Sequence, residues 1–276
     1  MNSIDTAFIQ DVYNKQLESL NEEEKRKIDF DPLQLYFGED YVINDQITIH
    51  QPCIQDFIDY GEKNIYSTVA PFACNTTSYR VQLYDMGIDW NEISNIELFA
   101  FLIKTINHKY SKIIFGELDF SYFELFEKNI GNSKQIILYD KTHHIEINEE
   151  TRGRMCRYIQ FMFNIFPPEE EFTSNKVLKQ DLINNDRQKQ LIQNKKKKNA
   201  SNLLSMISFC LNHPGFSYKK NELREVGIVE FMDSVQRLQI YEATHALYGG
   251  MYSGFVDTTK IDKSQLNFMR DIYVMT

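Results

Sequence analysis

The chain has 276 residues, 42% of them apolar and 25% charged, with 11 Gly and 6 Pro. That composition excludes a disordered or fibrous polymer, and the length gives one large domain or two modest ones with a real hydrophobic core. Thirty Lys and Arg against 39 Asp and Glu leave a net charge of −9, which argues against a phosphate-binding surface as the overall design and against nucleic acid as a partner.

No apolar run reaches the roughly 18 residues that a membrane span needs. The stretch from Met1 to Asp5 has no basic segment leading into an apolar one, so the expectation is no secretory signal, no membrane partner and a cytoplasmic location. Cys53, Cys74, Cys156 and Cys210 lie far apart and form no Cys-x-x-Cys pair, so they read as reduced, mostly buried small hydrophobes. Twenty Phe and 16 Tyr against one Trp supply large flat side chains, which fill cores first and anchor interfaces second.

In chain order, residues 1–29 read as an amphipathic N-terminal arm, with Ile4, Phe8, Ile9, Val12, Leu17 and Leu20 at near-helical spacing before a charged run at Glu22 to Lys27. Leu33 to Phe37 and Gln46 to His50 are β-rich runs and predict a hairpin or small sheet. A helix is predicted from about Pro52 to Val69, where Ile54, Phe57, Ile58, Gly61, Ile65 and Val69 recur at the 3.6-residue period. Ser94 and Glu97 form a capping box for a second helix whose buried stripe is Phe99, Leu102, Ile103 and Ile106.

Residues 135–147 predict another hairpin, turning around Asp140 to Thr142 and placing His143 and His144 on opposite faces of a strand. Asn148 caps a helix carrying Met155, Ile159, Met162, Phe163 and Phe166, which Pro167 and Pro168 end. The fold class is therefore α+β over residues 30–166, with small antiparallel sheets among helices.

Residues 167–199 read as a charged linker or solvated helix, because Leu178, Leu182 and Ile192 are too sparse for a buried one. Residues 200–276 read as a helical domain, with helices at about Ala200 to Leu211 and Gly227 to Leu247, the second stopped by Gly249 and Gly250.

Chemistry is sparse in this pattern. His144 and Glu146 have the His-x-Glu spacing of a zinc deaminase, but the required later Pro-Cys-x-x-Cys is missing. The phosphate-binding Gly-rich loops, the His-Glu-x-x-His pair and the Gly-x-Ser-x-Gly elbow are also missing. Asp85 with Asp89, and Glu117 with Asp119, could bind a hard metal or share a proton, yet in so acidic a chain turn and cap roles come first. The run Lys195 to Lys198 reads first as the solvated end of the linker and, as the alternative, as a grip for phosphate, with no aromatic residue interleaved for stacking on bases. The expectation is no catalytic residue, no metal and no cofactor.

The segment after Gly227 carries the clearest binding signal. Ile228, Phe231, Met232, Val235 and Leu238 form a helical stripe that runs on into Ala243, Ala246 and Gly250. Small residues at three- and four-residue steps let another backbone approach closely, so Phe231, Met232, Val235, Leu238, Ala243, Ala246 and Gly250 form a candidate protein interface. Packing against Leu203, Met206, Ile207 and Cys210 inside the same chain is the alternative.

Several strings resemble a known group of proteins. Asp31 to Gly38, Ile49 to Pro52 leading into Asp59 to Gly61, Leu83 to Asn91, Ile96 to Phe99 and Asn221 to Met232 together resemble proteins encoded in the tail modules of phages and prophages of Gram-positive bacteria. The resemblance implies a tail assembly chaperone, non-enzymatic, located in the host cell cytoplasm, with the tape-measure and tail tube proteins as partners; the small-residue helix adds a homo-oligomer as a further option. The rival roles are a structural component of the phage tail or neck, and a phage-encoded enzyme or host-interaction protein.

Overall fold

The computed structural model describes residues 28–130, 133–196, 201–254, 261–270 and 272. The expected N-terminal arm thus lies outside the described residues except for Ile28 and Asp29. Ile28 packs against the core, and the Asp29 carboxylate accepts from the Tyr41 hydroxyl at 3.0 Å and from Arg154 Nε at 2.7 Å.

Residues 32–36 correct the expectation of a strand: they form helix α1 (Pro32–Tyr36). The Asp31 carboxylate accepts from the Leu33 N–H at 2.8 Å, and Pro32 occupies the first helical position, where no amide hydrogen is needed. Local capping outweighs the β preference of Leu, Tyr and Phe.

The hairpin forms one step later, from β1 (Tyr41–Asn44) and β2 (Ile47–Ile49), with Tyr41 opposite Ile49. The Asn44 side chain closes its turn by accepting from the Gln46 and Ile47 N–H groups.

The long helix expected over 52–69 is two helices, α2 (Ile54–Tyr60) and α3 (Glu62–Val69). Gly61 sits between them at φ +87°, a backbone conformation open to glycine and strained for a side chain. Because the break costs one residue, Ile54, Phe57, Ile65 and Val69 still share one buried side.

Helices α4 (Arg80–Asp85), α5 (Asn95–Ile103) and α6 (His108–Phe115) follow. The capping box of α5 is as expected: Ser94 Oγ accepts from the Glu97 N–H, and the Glu97 carboxylate accepts from the Ser94 N–H at 2.8 Å. Phe99, Ile103 and Ile106 are buried, while Leu102 is partly exposed.

The second sheet has three antiparallel strands in the order β3-β4-β5: β3 (Phe123–Ile130), β4 (Ser133–Asp140) and β5 (Ile145–Ile147). Strand β3 had no sequence signal of its own, since among its described side chains only Phe123 is buried. His143 and His144 do not lie on opposite faces of a strand. Both stand exposed in the β4–β5 turn, and His144 has φ +57°.

Helix α7 (Glu149–Phe163) starts at Asn148, whose side chain accepts from the Thr151 N–H at 2.8 Å. It ends at the left-handed Asn164, before the prolines, which leaves Phe166 outside the helix. Met155, Ile159, Met162 and Phe163 are buried as expected.

Residues 176–196 form α8 (Lys176–Lys196), followed by α9 (Asn202–Asn212) and α10 (Ile228–Tyr252). Helix α10 does not stop at Gly249 and Gly250 but continues through them to Tyr252. Helix α8 is not wholly solvated, because Ile183 is fully buried against Val81, Leu83, Trp90 and Leu98.

These elements make an α+β fold. The main core unites Ile65, Phe99, Leu138 and Ile159 with Leu203, Cys210, Leu223, Phe231 and Val235. Residues 200–276 thus share a buried cluster with residues 30–166. Two backbone hydrogen bonds seal the join: Ile54 N–H to Val226 O at 3.0 Å, and Ile228 N–H to Pro52 O at 2.9 Å.

Candidate functional site

Helix α10 has two halves with different surroundings. In the first, Ile228, Val229, Phe231 and Val235 are buried, and Met232 and Leu238 pack against the same core beside Met206 and Ile207 of α9. Four of the seven candidate interface residues therefore serve internal packing: Phe231, Met232, Val235 and Leu238.

In the second half, residues 262–270 return along one side. Thr244 Oγ1 donates to Gln265 O at 3.1 Å, the Tyr248 hydroxyl donates to Leu266 O at 3.2 Å, and Arg237 Nη1 donates to Arg270 O at 2.8 Å. The Phe268 ring lies 5.7 Å from Tyr241 and 5.9 Å from Tyr248. Thr244 is buried by this return.

Ala243 and Ala246 are exposed and Gly250 is half-buried; steps of three and four residues place them on one helix face. Among the described residues nothing beyond its own stretch of helix lies within 4 Å of where a Cβ on the adjacent Gly249 would stand, and Tyr252 is 86% exposed at the helix end. The structure so separates the seven residues into four that stabilise the fold and three that remain at or near the surface.

An open groove of about 390 Å³ lies against the opposite side of α10, lined by Phe216, Tyr218, Leu238, Tyr241 and Phe268 together with Arg237. Arg237 is partnered by Asp233 at 3.6 Å. Burial raises the Asp233 carboxyl above its ordinary range, and Arg237 only partly offsets this. Tyr218 donates its hydroxyl to Glu230; that hydrogen bond to a carboxylate, with burial second, pushes its pKa up to about 12. The groove is thus walled by neutral aromatic rings and carries little free charge, a surface suited to apolar side chains of a partner.

The acidic pairs singled out in the sequence hold structure together. Asp85 pairs with Arg187 and Asp89 with Lys179, both clamping α8; Glu117 pairs with Lys112 at 3.1 Å, and Asp119 accepts from the Ser121 N–H at 2.9 Å. His144 Nδ1 lies 2.9 Å from the Tyr139 hydroxyl, and Glu146 pairs with Lys128 at 2.6 Å, so the deaminase spacing brings no common site together.

Among the described residues no group of three His, Cys, Asp or Glu side chains could hold a metal ion, and no helix is long and apolar enough to cross a membrane. The side chains of Lys195 to Lys198 lie outside the described residues.

Sequence reasoning missed a second site, a polar cleft around Trp90 whose residues 75–80 and 90–95 hydrogen-bond to residues 168–173, which fill it. Its polar side chains leave no periodic trace, and only the lone Trp could have drawn notice. The chain matches no protein-family model, no curated protein and no solved structure.

Proposed function

We propose that this chain is a non-enzymatic protein-binding factor that uses the outer half of α10, and that it acts as a chaperone-like protein in phage tail assembly, as its tail-module resemblance implies. The observation that supports this is the placement of Ala243 and Ala246, exposed on one face of α10, with an aromatic groove against the same helix. Small side chains allow close backbone approach and the groove accepts apolar anchors. The partners are the tape-measure and tail tube proteins, bound in the host cytoplasm before the tail is built.

The test is co-expression of this chain with tape-measure and tail tube proteins from phages of Gram-positive bacteria, comparing wild type with Ala246→Leu. Added bulk on a contact face weakens association by about 1 to 3 kcal/mol, roughly five- to 150-fold, with the melting temperature of the free chain little changed. An unchanged complex would remove the α10 reading. Protein analysis of purified particles then separates the roles, because an assembly chaperone is lost from the finished virion and a tail or neck component stays in it.

A further inference from the structure

We infer that the cleft formed by residues 75–80 and 90–95 is a recognition site for an extended acidic peptide of a partner protein, filled here in cis by residues 168–173. The cleft reads the backbone of its occupant. Asn75 Nδ2 donates to Pro168 O at 2.6 Å, the Glu171 N–H donates to Thr77 Oγ1 at 2.9 Å, Trp90 Nε1 donates to Glu171 O at 3.0 Å, and Asn91 Nδ2 donates to Thr173 O at 2.7 Å.

Charge then selects the side chains. Arg80 Nη1, on a side chain only 7% exposed, donates to the Glu171 carboxylate at 2.7 Å, and Asn95 Nδ2 donates to the Glu170 carboxylate at 2.6 Å. Arg80 Nε also holds Asp186 of α8 at 2.6 Å, so the guanidinium keeps a partner when Glu171 leaves.

Two features mark the present occupant as replaceable. Residues 168–172 are all exposed, and none belongs to either buried apolar cluster. The occupant also fits incompletely: Asn91 donates to Thr173 O, but its Oδ1 is buried and has no hydrogen-bond partner. The chain turns at Asn175 into α8, whose first residue is Lys176, so it cannot run on as an extended segment past Thr173. A free peptide continues past that point and offers Asn91 Oδ1 the N–H it lacks, completing a two-point amide contact to its backbone.

This cleft is separate from the α10 face, so its failure leaves the α10 reading standing. The test uses the full chain carrying Glu171→Gln, and a second chain carrying Glu170→Gln with Glu171→Gln, both changes on the tethered occupant and neither in the site. Each is titrated with a labelled peptide of residues 164–175 and with the same peptide bearing Gln at the position of Glu171. Binding is read by anisotropy and by emission of Trp90, the only Trp of the chain, 1% exposed and bonded to the occupant.

The expected result is saturable binding of the acidic peptide to the variants, about tenfold or more tighter than the Gln peptide and weakened by salt. Wild type should bind at least about tenfold more weakly, because its tethered segment competes at millimolar effective concentration. No saturable binding to either variant, or equal binding of the two peptides, overturns the inference. Dimerisation of the variants without peptide also overturns it, by giving the cleft to a second copy of this chain.

Discussion

Gln51 occupies the space that a side chain at position 227 would need: a Cβ on Gly227 would lie 2.2 Å from Gln51 Oε1. Gly227 has φ −64° and ψ 152°, open to any residue, so space and not conformation requires glycine. Gln51 cannot swing aside freely, since Nε2 donates to Leu35 O at 2.8 Å and Oε1 accepts from the Val229 N–H at 3.3 Å. Gly227→Ala is expected to cost about 1 to 3 kcal/mol through these lost contacts. Adding Gln51→Ala should cost less than the sum of the two single changes. Urea unfolding of the four proteins checks this, and strict additivity would refute a direct clash.

Ser94→Ala should destabilise the chain by about 0.5 to 2 kcal/mol, because the Glu97 N–H loses its acceptor and the reciprocal bond to Ser94 loses its pre-ordered partner. Replacement by Asp should restore most of the loss. Thermal unfolding of both variants reads the difference.

Helix α8 gives a contrast within one element. Ile183→Ala empties a fully buried site beside Trp90 and should cost about 2 to 4 kcal/mol, whereas Ile192→Ala, at a residue 55% exposed, should cost under about 0.5 kcal/mol. Equal effects would mean that α8 is not anchored through Ile183.

Asp140 predicts an acid limb of stability. Burial opposes ionisation of its carboxyl, but hydrogen bonds from His143 Nδ1 at 2.6 Å and from the His143 and Thr142 N–H groups outweigh it and hold the pKa below the ordinary value. A depressed carboxyl contributes stability that is present above its unfolded pKa, about 3.9, and is lost as pH falls through the lower folded value. Asp140→Asn should lower the melting temperature at pH 7 and flatten its decline between about pH 4 and 2. A decline as steep as that of wild type would assign the acid limb to other carboxylates, such as Asp89 and Asp119, which are also held low.

The sequence by itself determined what acts within a turn or two of the chain. The caps at Ser94 and Asn148, the buried stripe of α7, the hairpin turning after Asp140 and the small face of Ala243 and Ala246 were all legible, because a cap or a helical face involves residues within about four positions of each other.

Tertiary structure alone decided the rest. The 3.6-residue period that marked Phe231 and Val235 as a stripe could not say that α9 and the core cover it while Ala243 and Ala246 stay open. Ile183 drew no notice in a polar helix because the residues that bury it, Val81, Leu83, Trp90 and Leu98, lie far upstream. Gln51 against Gly227, and Asn75, Thr77 and Trp90 against residues 168–173, are likewise pairings between distant segments. Their formation depends on the chain closing large loops around a shared core, and no local pattern of residues records which distant backbone will arrive there.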